Sequence, residues 1–139
     1  MEKNLNIPIK IPQKYEEKSY ITLYLGDVFT FLPSIPEGVV KLVVTSPPYN
    51  IGKSYEDKTS LDRYLDVHTQ LIQELFRITA DDGNICWQVG NYINKGEVVP
   101  LDILFYPIFK AAGFSLRNRI IWHFGHGLHN KHRFSGRYE

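Results

Sequence analysis

At 139 residues, 43% apolar and 22% charged, the chain has the size and balance of one soluble globular domain with a single core. Its net charge of +1 neither demands nor excludes an anionic partner, because a nucleic-acid binder need be basic on one face only. One cysteine, Cys86, excludes an internal disulfide, and no stretch has the length of a membrane span or the form of a signal peptide, so a cytoplasmic protein is expected.

Residues 1–19 alternate Lys, Glu, Asn and Pro around Ile7, Ile9 and Ile11 and read as an N-terminal arm or an edge strand; Pro8 and Pro12 argue against a central one. Residues 21–25, Ile-Thr-Leu-Tyr-Leu, predict a strand ended by Gly26-Asp27. At a strand's carboxyl end the Asp27 carboxylate can accept from a ligand amino or hydroxyl group. It can equally cap the short apolar turn of residues 28–32. Pro33, Pro36 and Gly38 then make a turn-rich link.

The organising stretch is residues 42–50, Leu-Val-Val-Thr-Ser-Pro-Pro-Tyr-Asn. A buried strand is stopped by two prolines, neither of which can donate to a ladder. The Ser46 hydroxyl and the carbonyls near Pro47 then point outward as stiffly held acceptors, suited to an amino group with two hydrogens. Tyr49 adds a flat face on which a base can stack, worth roughly 1–3 kcal/mol in single-strand binders. Together these residues describe a clamp for a planar ring bearing NH2.

Ser46-Pro47-Pro48-Tyr49 resembles motif IV of the S-adenosylmethionine-dependent amino methyltransferases of DNA, whose pattern is Asp, Asn or Ser, then Pro-Pro, then Tyr or Phe. Asn50, Gly52, Lys53 and Tyr55 continue as that family often does, and Gly26-Asp27 precedes the motif at a familiar distance. Lys41 departs from the pattern, since members commonly carry an acidic residue about there. The resemblance implies catalytic roles for Ser46, Pro47, Pro48 and Tyr49, and contacts to S-adenosylmethionine from Asp27, Ser46 and Asn50. It implies direct methyl transfer to the exocyclic nitrogen, N4 of cytosine or N6 of adenine, of a base flipped out of double-stranded DNA. Residues 51–58 are polar, and a loop of this kind tends to order over a substrate. Lys53 and Tyr55 within it are candidates for contact with DNA phosphate or cofactor, a solvated loop being the alternative.

From Ser60 the apolar period becomes 3.6, with Leu61, Tyr64, Leu65, His68, Leu71, Ile72, Leu75 and Phe76 on one stripe. This predicts an amphipathic helix capped by Ser60 and stopped by Asp81-Asp82-Gly83, with His68 as a packed histidine rather than a ligand. Residues 84–91 predict a strand with Cys86 as a core thiol. A helix from about 98 to 112 follows, with Pro100 near its first turn, Pro107 expected to bend or shorten it, and an end at Gly113. Residues 116–122 predict a further strand, and the alternation implies a doubly wound, Rossmann-like, mostly parallel α/β sheet.

Residues 122–139 carry four histidines spaced by three, but two glycines interrupt any helix that would align them and no cysteine accompanies them, so no metal is expected. A basic, glycine-hinged loop suits phosphate contact, with His126, Lys131 and Arg133 as candidates. The region resembles the family's motif VIII, where a strand ending in Trp leads into a loop over the target-base pocket. The family's Phe-x-Gly-x-Gly segment has no counterpart here. Residues 20–139 therefore resemble a partial, incomplete methyltransferase catalytic domain, with DNA and a complementing methyltransferase chain or a second copy as expected partners. The alternatives are a non-catalytic nucleic-acid-binding fragment, one half of a split enzyme, or a methyltransferase acting on RNA or on protein glutamine.

Overall fold

A computed structural model describes residues 11–52, 54 and 57–122. A helical turn α1 (Val28–Phe31) and a 3-10 turn (Leu32–Ser34) lead into strand β1 (Val40–Thr45). Helix α2 (Leu61–Ile78) then returns the chain to strand β2 (Thr79–Trp87), which lies parallel to β1 with Leu42 opposite Asn84 and Thr45 opposite Trp87. Parallel neighbours need such a crossover. A hairpin of β3 (Asn91–Asn94) and β4 (Glu97–Pro100) precedes helix α3 (Leu101–Ala112). The architecture is mixed α/β, and the doubly wound sheet is seen only in part, as one parallel pair with its crossover helix.

Helix α2 forms where the apolar period placed it. Arg63 N–H donates to the Ser60 hydroxyl at 3.3 Å, and Asp62 in the first turn and Arg77 in the last complement the helix dipole. Its buried stripe is Tyr64, His68, Ile72, Leu75 and Ile78. Two clusters sit on that stripe. Tyr64 and Ile72 pack with Tyr92, Leu101 and Phe105 from the hairpin and α3, while Leu75 and Ile78 pack with Leu32 and Ile35.

Several expectations are corrected. Residues 21–25 and 116–122 are not strands, because no described residue forms a ladder with them. Helix α2 stops at Ile78 rather than at Asp81-Asp82-Gly83. Thr79 is already extended there, and its hydroxyl caps the helix by donating to the Leu75 carbonyl at 2.6 Å. Residues 80–83 instead form a bulge in β2 standing opposite Lys41 alone. Gly83 is required in it, since a Cβ there would come 2.7 Å from the Val40 carbonyl oxygen. Lys41 pairs with Asp82 across the bulge, which accounts for a basic residue at that position and holds the Asp82 carboxyl below its ordinary range.

The strand read over residues 84–91 therefore begins earlier and ends at Trp87. The helix read from about residue 98 begins at Leu101, because Lys95 (φ 49°) and Gly96 (φ 90°) make a tight turn that pairs Val98 and Val99 back onto β3. Gly113 does end α3, at φ 115°. Gly113 N–H donates to Lys110 and Phe114 N–H to Phe109, with the Phe109 and Phe114 rings in edge contact, the pattern of a Schellman cap. Cys86 is exposed rather than buried, because α2 covers one face of the β1–β2 pair and leaves Leu42, Val44 and Cys86 on the open one.

One side chain ties the second cluster to α2. Arg77 donates to the carbonyls of Ile35 and Leu32, each at 3.0 Å, and pairs with Glu74 at the surface. The two carbonyl bonds carry the effect, since the partly exposed ion pair contributes little. Arg77→Ala is expected to lower unfolding free energy by about 2–3 kcal/mol in urea titration, with Arg77→Lys recovering only part of it because a point-like ammonium lacks the planar fork whose two nitrogens each reach one carbonyl. A loss below about 0.5 kcal/mol would remove this bridge from the account of stability.

Candidate active site at the tip of β1

The parallel ladder ends where Gln88 N–H donates to the Thr45 carbonyl at 2.9 Å. Beyond it Pro47 and Pro48 have no N–H, so the chain leaves the sheet at Ser46. Ser46 is exposed, Pro47 buried and Tyr49 half-buried against the first cluster. These four motif residues line an open recess of about 320 Å³. The Ser46 hydroxyl lies 2.9 Å from the Tyr49 hydroxyl. The Pro48 carbonyl accepts from the Tyr64 hydroxyl of α2 at 2.8 Å, and no described residue donates to the Pro47 carbonyl.

Behind the turn, Gly90 closes on Tyr49. A Cβ at Gly90 would come 3.1 Å from both Cδ2 and Cε2 of the phenol ring, so glycine lets the strand exit press against it. Asn50 takes a left-handed backbone (φ 59°) and is almost wholly buried. Its side-chain amide donates to the Thr59 carbonyl at 2.8 Å and accepts from Thr59 N–H at 2.7 Å. Those two bonds pin together the ends of the loop that follows the turn. Asp27 is exposed and accepts from Phe29 N–H at 2.7 Å, so it caps α1, and no hydrogen bond among the described residues joins it to the Ser46 turn.

Of the residues singled out from sequence, Ser46, Pro47, Pro48 and Tyr49 are thus brought together, with Asn50 next to them. Lys53, Tyr55, His126, Lys131 and Arg133 lie outside the described residues, as do the histidines at 123, 129 and 132. Tyr64, Gly90 and Thr59 were missed as parts of the site. Tyr64 reads as one more apolar position of a helical stripe, and only its hydroxyl hinted at a polar partner.

Residues 40–139 match the family model described as DNA methylase, the N6/N4 methyltransferases. The chain belongs to the N6/N4 DNA methylase family. It is 44% identical over 137 residues to the type II methyltransferase M.BglII of Bacillus subtilis, a match covering 98% of this chain and 38% of that one. Against the type II methyltransferase M.ScaI of Streptomyces caespitosus it is 34% identical over 128 residues, 90% of this chain and 41% of the relative. The DNA adenine methyltransferase YhdJ of Escherichia coli K12 is 28% identical over 123 residues, covering 85% and 38%. The chain thus spans about two fifths of the length of these relatives.

In this member of the DNA methylase family the motif turn rests on a cluster of tilted and edge-on aromatic rings. The ring of Tyr64 lies 4.2 Å from that of His68, and Phe105 and Trp87 close around them. His68 Nδ1–H donates to the Tyr64 carbonyl at 2.7 Å. Burial pushes the His68 pKa down and that bond only partly offsets it, so the folded state favours the neutral ring.

The unfolded chain takes up this proton near pH 6.5, above the lowered folded pKa, so the stability His68 contributes is present above about 6.5 and lost as pH falls through the folded value. His68→Gln is expected to flatten the fall in urea midpoint between pH 7 and pH 5, and parallel curves for both proteins would argue against a buried neutral ring. Gly90→Ala is expected to displace the Tyr49 ring. Its signature is a shift of the Tyr49 ring proton resonances at nearly unchanged stability. Unmoved resonances in Gly90→Ala would mean that Tyr49 does not depend on its back wall.

Proposed function

We propose that this chain carries the catalytic portion of a DNA amino methyltransferase, which moves a methyl group from S-adenosylmethionine to the exocyclic nitrogen of cytosine (N4) or adenine (N6) in a base flipped from double-stranded DNA. The observation that carries this reading is the recess at the tip of β1 lined by Ser46, Pro47, Pro48 and Tyr49, with the Ser46 and Tyr49 hydroxyls 2.9 Å apart. A ligand at the carboxyl end of a parallel strand is the usual position in open α/β sheets.

Ser46 Oγ has one hydrogen and two lone pairs. With that hydrogen given to the Tyr49 hydroxyl, the lone pairs face the recess and can accept one N–H of an amino group. The Pro47 carbonyl accepts the other. Held by both bonds and stacked on Tyr49, the amino nitrogen directs its lone pair out of the ring plane, and positioning supplies most of the acceleration. Bound S-adenosylmethionine supplies the electrophilic methyl group. The exposed Asp27 carboxylate and the Ser46 hydroxyl suit its amino and hydroxyl groups, whereas the Asn50 amide is committed to Thr59 and supports the site by holding the loop. Cys86 lies on the open sheet face and does not line the recess, which accords with transfer without a covalent enzyme intermediate.

Lys53, Tyr55, His126, Lys131 and Arg133 are proposed to contact the DNA, and the protein to work in the cytoplasm. No helix among the described residues is long and apolar enough to cross a membrane. The uncovered Leu42, Val44 and Cys86 face favours a second reading, in which the chain is one half of a methyltransferase completed by another chain or a second copy.

In a methylation-competent preparation, Ser46→Ala and Tyr49→Ala are each expected to reduce radiolabelled methyl incorporation into DNA by about ten- to hundredfold while the circular dichroism spectrum is kept. Undiminished turnover in both variants would sink the clamp.

A further inference from the structure

We propose that Tyr64 is a positioning residue of the methyl-transfer site, its hydroxyl fixing ψ of Pro48, a backbone torsion within the Ser46-Pro47-Pro48-Tyr49 turn that the prolines leave free. This inference rests on the reading of that turn as the base clamp.

The torsions can be taken one by one. The pyrrolidine rings fix φ of Pro47 and of Pro48. Each residue before a proline is confined to extended ψ, which settles Ser46 and Pro47. Nothing of this kind acts on ψ of Pro48, the rotation that sets where its carbonyl points and where Tyr49 begins. The restraint comes from the 2.8 Å bond that the Tyr64 hydroxyl donates to the Pro48 carbonyl. After the turn, Asn50 is held by Thr59, so the Pro48 bond and the Asn50–Thr59 pair anchor Tyr49 from both sides.

Tyr64 is itself rigidly placed. It is buried in the first cluster, its ring meets those of His68 and Phe105, and its own carbonyl accepts from His68 Nδ1. The phenol is therefore a strut from α2 to the turn, and loss of its hydroxyl frees the Tyr49 ring to leave the geometry that a bound base needs. DNA affinity, set largely by phosphate contacts, does not depend on that torsion.

Tyr64→Phe keeps the ring and removes only the hydroxyl. The expected result is a fall in kcat of about five- to twentyfold with KM for DNA and for S-adenosylmethionine within about twofold and the melting temperature nearly unchanged. A structural role alone would instead lower the melting temperature and leave kcat in place. Independently of turnover, the Pro48 carbonyl carbon resonance is expected to move upfield in Tyr64→Phe as its hydrogen bond is lost. An unchanged kcat beside an inactive Ser46→Ala would overturn the strut and spare the clamp, whereas full activity in Ser46→Ala and Tyr49→Ala would overturn the clamp itself. An unmoved Pro48 resonance would also overturn the strut.

Discussion

A proline cannot donate to a β ladder, and two of them directly after Thr45 force the chain out of the sheet at one defined point. The recess, the exposed Ser46 hydroxyl and the half-buried Tyr49 ring all follow from that break. The prolines also remove most torsional freedom, so acceptors in the turn are held in place before any ligand arrives. Pre-organisation of this kind lets a small polar site act strongly, because little entropy is lost when the ligand binds.

The rest of the described structure serves to hold that turn. Helix α2 is at once the crossover that makes β1 and β2 parallel, the floor of both apolar clusters and the source of the Tyr64 bond. Gly90 backs the phenol ring from the end of β2, and Asn50 fastens the following loop to Thr59. None of the three belongs to the four-residue motif. Their contribution is positional.

The matched family model and the type II relatives place the chain in the N6/N4 DNA methylase family. They also set the proportion of the problem. Each relative named is far longer than this chain, and the open face of the β1–β2 pair is the part of the described structure that looks unfinished as a core. An apolar sheet face bearing Leu42 and Val44 is costly in water, so covering it would release free energy roughly in proportion to the area removed.

Residues 42–50 determined by themselves that a strand ends in a rigid corner of acceptors beside an aromatic ring, because proline chemistry is local. The 3.6 period and the Ser60 cap likewise determined α2, and Gly113 the end of α3, since helices and their caps are built from contacts within a few residues. Strands are different. Residues 21–25 and 116–122 have the right composition, yet a strand exists only when another backbone pairs with it, and that partner is not written in the segment itself. The bulge at residues 80–83 and the hairpin turn at Lys95-Gly96 were hidden for the same reason, being set by register against a neighbour. Only the tertiary structure decided that Tyr64 reaches Pro48, that Gly90 touches Tyr49 and that Cys86 faces out, because each depends on how far a helix or strand is rotated against its neighbour.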